Sequence, residues 1–263
     1  MELDDAYANG AYIPNAETYP PRWAEQASAF RIELGSRAKI GLSYGEAERE
    51  VFDLFLPEGA PKGTVIFVHG GYWRAFDRTS WSHLANGPIA QGWAVAMPSY
   101  TLCPVNSISG ITTQIASAVA AVAEITTGPI VLTGHSAGGH LVARMLAPGM
   151  LPASVAQRLA YVVPISPLSD LEPLLRTSMN ADFQMDVEEA RAESPIHQPA
   201  PDIPVTVWVG ADERPAFLDQ ARWLAEAWDV PCHVARDKHH FDVIDALADP
   251  DSDLTRLLTP GAA

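Results

Sequence analysis

Apolar positions along the chain follow two patterns that take turns. Short runs with the period of a β-strand alternate with longer stretches whose apolar residues recur every three or four positions. Ala38 to Tyr44 and Glu48 to Leu56 read as strands, and in the second Val51, Asp53 and Phe55 share one face while Phe52, Leu54 and Leu56 share the other. These two form an antiparallel start. Continuous apolar runs follow at Thr64 to Val68, Ala94 to Met97, Ile130 to Leu132, Ala160 to Pro164 and Val205 to Val209, with a last strand over Cys232 to Ala235. Runs of that kind suit strands covered on both faces. Between them, Ile111, Ile115, Val119 and Val122 make one helical stripe. Phe217, Leu218, Ala221, Leu224, Ala225 and Trp228 make another, with Pro215 near its start, where proline is tolerated. The alternation predicts an α/β fold: a three-layer sandwich with a mostly parallel, roughly eight-stranded sheet and helices on both faces. Sites on such sheets lie at the carboxyl ends of the strands.

Three segments depart from the pattern. Residues 1–31 carry aromatics and prolines with little periodicity and are expected to form an extended N-terminal arm packed on the body. Residues 72–88 are expected to run into a helix. Residues 168–200 interrupt the sheet pattern, where a small cap would insert. No linker or repeat divides the 263 residues, so residues 1–263 are read as a single domain.

A hydrophobic content of 48% is ample for a full core, and a formal charge of −15 argues against nucleic acid or an anionic membrane as partner. A small-molecule substrate is expected instead, and nothing in the pattern sets an oligomeric state. Cys103 and Cys232 match no metal or redox spacing and are expected as free thiols. No H-E-x-x-H or comparable spacing occurs, so neither metal nor cofactor is expected. The start, Met1-Glu2-Leu3-Asp4-Asp5, has no signal-peptide character, and no apolar run approaches the ~18 residues of a membrane span, which makes a cytoplasmic location the default expectation.

The chemistry is concentrated in three places, each following a predicted strand. Gly134-His135-Ser136-Ala137-Gly138 is a G-x-S-x-G motif between an apolar run and a small-residue helical stretch, the context of a nucleophile elbow. Ser136 is the expected nucleophile. His69-Gly70-Gly71-Tyr72-Trp73 follows the Val65 to Val68 run, and N–H groups of Gly70 and Gly71, with that of Ala137, are expected to form an oxyanion hole. Tyr72 and Trp73 stand beside it and are expected to wall the pocket or stack on an aromatic substrate. His239-His240-Phe241-Asp242 follows the last strand and offers the base, and Gly210-Ala211-Asp212-Glu213 offers the acid. Spacing alone leaves His239 and His240, and Asp212 and Glu213, unseparated.

These residues resemble the kynurenine formamidase (arylformamidase) family of α/β-hydrolases. The family's H-G-G-x-W motif is matched by His69 to Trp73 and its G-H-S-A-G-G-H elbow by Gly134 to His140. Tyr44-Gly45, Asp170 to Leu174, Asn180, Ser194-Pro195 and His240-Phe241-Asp242 extend the similarity over residues 38–247. The resemblance implies His240 as catalytic histidine. It places the acid at Glu213, four residues before Phe217 and seven before Gln220, where many members have aspartate. It further implies hydrolysis of an aryl formamide, N-formylkynurenine, to kynurenine and formate, a step of tryptophan catabolism. The alternative is a carboxylesterase of the hormone-sensitive-lipase-like group. Two departures weigh against it: Tyr72 stands where those enzymes often have a third glycine, and Tyr100-Thr101-Leu102-Cys103-Pro104-Val105 replaces Y-R-L-A-P-E.

Overall fold

A computed structural model describes residues 1–261. The strands are β1 (Ala38–Ser43), β2 (Val51–Phe55), β3 (Thr64–Val68), β4 (Ala94–Pro98), β5 (Ile130–His135), β6 (Leu159–Ile165), β7 (Val207–Gly210) and β8 (Cys232–Ala235). They form one eight-stranded sheet in the order β1-β2-β4-β3-β5-β6-β7-β8. β1 and β2 are antiparallel, β2 is antiparallel to β4, and the remaining neighbours are parallel.

The period of two decides which side of the sheet each residue serves. Ile66 and Val68 of β3, Ala94 and Ala96 of β4 and Val207 and Val209 of β7 point into one apolar layer. Val65, Phe67, Val95, Met97 and Trp208 point into the other. Both layers are covered by helices: α1 (Tyr19–Leu34), α2 (Asn86–Ala90), α3 (Ile108–Ile125), α4 (Ala137–Arg144), α5 (Ala153–Ala156), α6 (Asn180–Phe183), α7 (Val187–Glu193), α8 (Pro215–Trp228) and α9 (Asp253–Leu258). α3, α4 and α8 pack on the first face, and α1, α2 and α9 on the second. By length and composition α3 could cross a membrane. Its stripe of Ile108, Ile111, Ile115, Val119 and Val122 is wholly buried against the sheet, and Ser107 caps its first turn by accepting the N–H of Gly110 at 3.1 Å.

The irregular segments differ from expectation in instructive ways. Residues 1–31 are not an extended arm throughout, because α1 begins at Tyr19. Its prolines look like loop signals but sit in the first turn, where no N–H is needed. Its buried stripe is only Trp23, Ala27 and Leu34, too thin to stand out among the charges. Residues 72–88 form 3₁₀ turns at Arg78–Ser80 and Ser82–Ala85 before the short α2. After His240 the helical run is a single 3₁₀ turn, Asp245–Ala248.

Two ion pairs, Asp53–Arg78 and Arg144–Glu193, are set into this core. Asp53 is fully buried and accepts from Arg78 Nε at 2.7 Å and Gly41 N at 2.8 Å. Arg144 donates to Glu193 at 3.1 and 3.2 Å, which fastens α4 to the last residue of α7. Burial holds the histidines in their neutral form: His69, His83 and His140 are pushed down to about 4, and His135 well below its ordinary value, the last with help from neighbouring His240.

Two stability experiments follow. Ile115→Ala removes a fully buried side chain from α3 and is expected to cost about 2–5 kcal/mol in urea denaturation, whereas Ile125→Ala, on a side chain 57% exposed, stays within about 0.5 kcal/mol. Equal effects would show that the α3 stripe is not the packed face. Unfolded histidines titrate near 6.5, above the folded values. Above that pH both states are neutral and nothing is gained or lost. As pH falls from about 6.5 towards 4, the unfolded chain takes up protons that the folded chain refuses. Stability therefore drops, by up to about 1.4 kcal/mol per pH unit for each such histidine. Urea midpoints at pH 7.5, 6, 5 and 4.5 check this, and His83→Gln is expected to flatten the slope by about one proton.

Candidate active site

The bend after β5 is where the chain is most constrained. Ser136 stands between the end of β5 and the start of α4 with φ 56° and ψ −116°, a region that side-chain-bearing residues rarely adopt. Backbone bonds hold it there: Ser136 N donates to Ile165 O at 2.8 Å, and His140 N donates to Ser136 O at 3.0 Å. The flanking glycines are a matter of clearance. A Cβ on Gly134 would run into the carbonyl of Gly138, and one on Gly138 would run into the carbonyl of Val68. Neighbouring strands press this close because β3 and β6 flank β5 in the sheet.

The loop after β3 lies against the same bend. A Cβ on Gly70 would stand 2.8 Å from His135 O and 3.1 Å from Ser136 Cβ. Gly71, Tyr72 and Trp73 follow in consecutive left-handed conformations, at φ 106°, 50° and 54°. The N–H groups of Arg74 and Ala75 close this turn on Gly71 O at 3.1 and 3.0 Å. His69 fixes the entrance. Its Nδ1 donates to Gly70 O at 2.8 Å, and its ring stacks on Tyr100 at 4.4 Å. Among the described residues, nothing within the protein accepts from the N–H of Gly70 or Gly71. Ala137 opens α4, so its N–H has no partner within the helix. These are the three N–H groups that the motifs single out.

His240 meets Glu213, not Asp212. His240 Nδ1 donates to Glu213 Oε2 at 2.6 Å, with both side chains almost wholly buried. That bond leaves Nε2 as the ring's acceptor. The other carboxylate oxygen, Oε1, accepts from Gly210 N at 2.9 Å and from the Ser166 hydroxyl. The imidazole is held between the rings of Phe217, at 4.3 Å, and His135, at 4.6 Å. Asp212 is exposed, and its backbone N–H goes to Lys238 O. His239 turns away: its Nε2 lies 3.0 Å from the Tyr19 hydroxyl, and its Nδ1 accepts from Phe241 N at 3.1 Å. Ser166 carries no sequence motif, and its φ of 47° in a non-glycine residue becomes visible only in the structure.

Ser136 and His240 open on one cavity of about 460 Å³. Neither Ser136 Oγ nor His240 Nε2 has a hydrogen-bond partner among the described residues. Aromatic side chains dominate the walls: Tyr7, Trp23, Tyr72, Phe76, Trp81 and Phe241. Tyr72 thus stands where expected, its hydroxyl donating to Tyr7 O at 2.7 Å. Trp73 does not. It is fully buried outside the cavity lining, edge-on to His140 at 5.1 Å and Phe183 at 5.5 Å, because the left-handed turn swings it under the loop into the core. Tyr7 and Trp23 were missed by sequence reasoning, since they come from the segment with the weakest periodicity. Among the described residues no group of three or more His, Cys, Asp or Glu could hold a metal ion. Cys103 and Cys232 are free thiols.

The model of the BD-FAE family matches residues 52–195, more than half of the chain. The kynurenine formamidase of Danio rerio is 28% identical over 269 residues, covering 91% of this chain and 92% of that protein. The kynurenine formamidase of Drosophila melanogaster is 27% identical, covering 82% and 79%. Among solved structures, a protein from a Silicibacter species, named a "putative thioesterase", is 64% identical with a TM-score of 0.98, covering 99% of this chain and 100% of that one. An esterase from the archaeon Pyrobaculum calidifontis shares the fold at a TM-score of 0.69 and 16% identity, covering 92% and 90%. The chain belongs to the BD-FAE family, and it is a kynurenine formamidase-like α/β-hydrolase, a hydrolytic enzyme.

Proposed function

We propose that the protein is a serine hydrolase of aryl formamides such as N-formylkynurenine, with Ser136, His240 and Glu213 as its triad. The observation that carries the reading is the Glu213–His240 bond of 2.6 Å at the wall of a cavity that Ser136 also lines. Asp212 has no part in it.

The reaction runs from these positions. Ser136 Oγ attacks the formyl carbon as its proton passes to His240 Nε2, and Glu213 stabilises the resulting imidazolium through Nδ1–H. The carbonyl oxygen gains negative charge as the tetrahedral intermediate forms. It takes hydrogen bonds from the N–H groups of Gly70, Gly71 and Ala137, and the start of α4 adds partial positive charge there. His240 then gives its proton to the aniline nitrogen, the C–N bond breaks and the arylamine leaves. Water, deprotonated by His240, attacks the formyl ester of Ser136 and releases formate. The aromatic walls contribute what a formyl group cannot. With so small an acyl part, most of the binding contact comes from the aryl leaving group, and rings packed on Trp23, Trp81 and Phe76 supply it. The product, kynurenine, places the reaction in tryptophan catabolism.

Ser136→Ala is expected to lower kcat by about 10⁵–10⁶, as nucleophile removal does in serine hydrolases. Glu213→Gln should lower it by about 10³–10⁴ while Asp212→Asn stays within about twofold. A crippled Asp212→Asn beside an active Glu213→Gln would move the acid to Asp212. The substrate assignment is tested by kcat/KM for N-formyl-L-kynurenine, p-nitrophenyl acetate and S-phenyl thioacetate. The formamide is expected to lead. No detectable formamide turnover beside efficient ester or thioester turnover would refute the formamidase reading and leave the triad standing.

A further inference from the structure

The lining of the cavity is mostly apolar and aromatic, with polar groups at Asn9, His135, Ser136, Ser178 and His240. Among the described residues, Arg74 is its only Lys or Arg and Asp4 its only Asp or Glu. Both belong to the mouth. Their side chains are 38% and 37% exposed, whereas Ser136 and His240 are 2% and 4% exposed. Arg74 ends the left-handed turn that begins at Gly71, so the cation is rigidly placed relative to the N–H groups beside Ser136. Its Nη1 donates to Asp182 Oδ2 at 2.6 Å, and among the described residues the rest of the guanidinium fork is unengaged. Asp4 is fixed by Ser178 N, which donates to its Oδ1 at 2.6 Å. The second oxygen of Asp4 pairs with the amino group of Met1, and a carboxylate oxygen accepts more than one hydrogen bond.

We infer that Arg74 and Asp4 form a subsite for the zwitterionic α-amino-acid group of the substrate, Arg74 taking the carboxylate and Asp4 the ammonium. The inference rests on the aryl formamidase reading and deepens it. A planar fork with free N–H groups is suited to two-point pairing with a carboxylate. A simple aryl acid would pair with Arg74 but set its charge beside Asp4 and Asp182, and a simple amine would pair with Asp4 but face Arg74. A zwitterion satisfies both ends at once. The depth order agrees: aryl ring among the aromatic walls, acyl carbon at Ser136, charged tail at the mouth. Neutral esters engage only the first two, so the subsite separates an amino-acid substrate from general ester hydrolysis.

The test compares kcat/KM for N-formyl-L-kynurenine with that for 2-formamidoacetophenone, which keeps the ring, ketone and formamide but lacks the amino-acid group. Wild type is expected to favour the zwitterion by at least about 10-fold, and Arg74→Gln to lose about 10-fold of that ratio through KM, the scale of one partly exposed charge-assisted pair. Arg74→Lys should fall between them, since it keeps the charge and loses the fork. A ratio is read, so any general loss of active enzyme cancels. An unchanged ratio in Arg74→Gln overturns the subsite. If wild type hydrolyses neither formamide, the formamidase reading fails, and the subsite is read through inhibition of p-nitrophenyl acetate hydrolysis. L-Kynurenine must then inhibit about 10-fold better than 2-aminoacetophenone in wild type but not in Arg74→Gln. Equal inhibition, or none, overturns the proposal.

Discussion

The backbone at Ser136 cannot relax, and the geometry around it follows from that. A serine at φ 56° is unfavourable on its own and persists because the flanking strands leave the bend no other path. Val68 of β3 crowds it from one side and Ile165 of β6 holds its N–H from the other. The same crowding explains why each neighbouring segment carries something useful. The residues after β3 must turn sharply away from His135, which produces the left-handed run from Gly71 to Trp73 and leaves N–H groups without partners. The residue after β6 must also turn, and the positive φ of Ser166 sends its hydroxyl to Glu213. One steric constraint at the centre of a parallel sheet thereby organises three loops.

Electrostatics complete what sterics begin. Around the bend lie histidines that burial keeps uncharged: His69 under the glycine turn, His135 against His240, and His140 donating to Glu193 O at 2.8 Å. A second positive charge beside His240 would oppose the imidazolium of the proposed reaction, so a neutral His135 can pack on the ring without penalty. Among the described residues, Glu213 is the one carboxylate hydrogen-bonded to that ring, and its oxygens are filled by Gly210, Ser166 and His240. An acid so fully occupied has no freedom to swing, which fixes both the tautomer and the direction of Nε2.

Parts of this arrangement that obey local rules were legible in the sequence. The elbow needs glycines within two residues of the serine because a Cβ on Gly134 would strike Gly138 and one on Gly138 would strike Val68 of β3, so it leaves a short motif. The sheet was legible because strands buried on both faces are apolar throughout, and the antiparallel start because Val51 to Leu56 alternates. Choices that depend on where a loop points were not. Asp212 and Glu213 are adjacent, and only the packing of the turn after β7 decides which carboxylate is buried. Trp73 has the composition of a pocket wall, yet the turn that precedes it sends it inward. Ser166 works on a residue 47 positions away, a relation that no local pattern encodes. α1 was hidden by its own prolines.

The segment with the least sequence signal supplies much of the cavity wall. Tyr7 and Asn9 precede α1, Trp23 lies within it, and all three line the cavity. The segment is held by contacts scattered over the molecule: Leu3 N to Arg176 O at 3.2 Å, Gln220 Nε2 to the Tyr7 hydroxyl at 3.0 Å, Arg214 to Asp5 at 2.8 Å. None of these imposes a period, because each residue answers to a different partner. In the proposed reaction the sheet supplies the serine to any acyl compound that can reach it. Which compounds reach it depends on a wall built from side chains that the sheet does not position. That division lets the catalytic geometry stay rigid while the wall is free to differ between chains of the same fold. It also explains why motif and strand order lead to a hydrolase, whereas the proposed subsite at Arg74 and Asp4 emerges only when the first eighteen residues are seen folded back over the cavity.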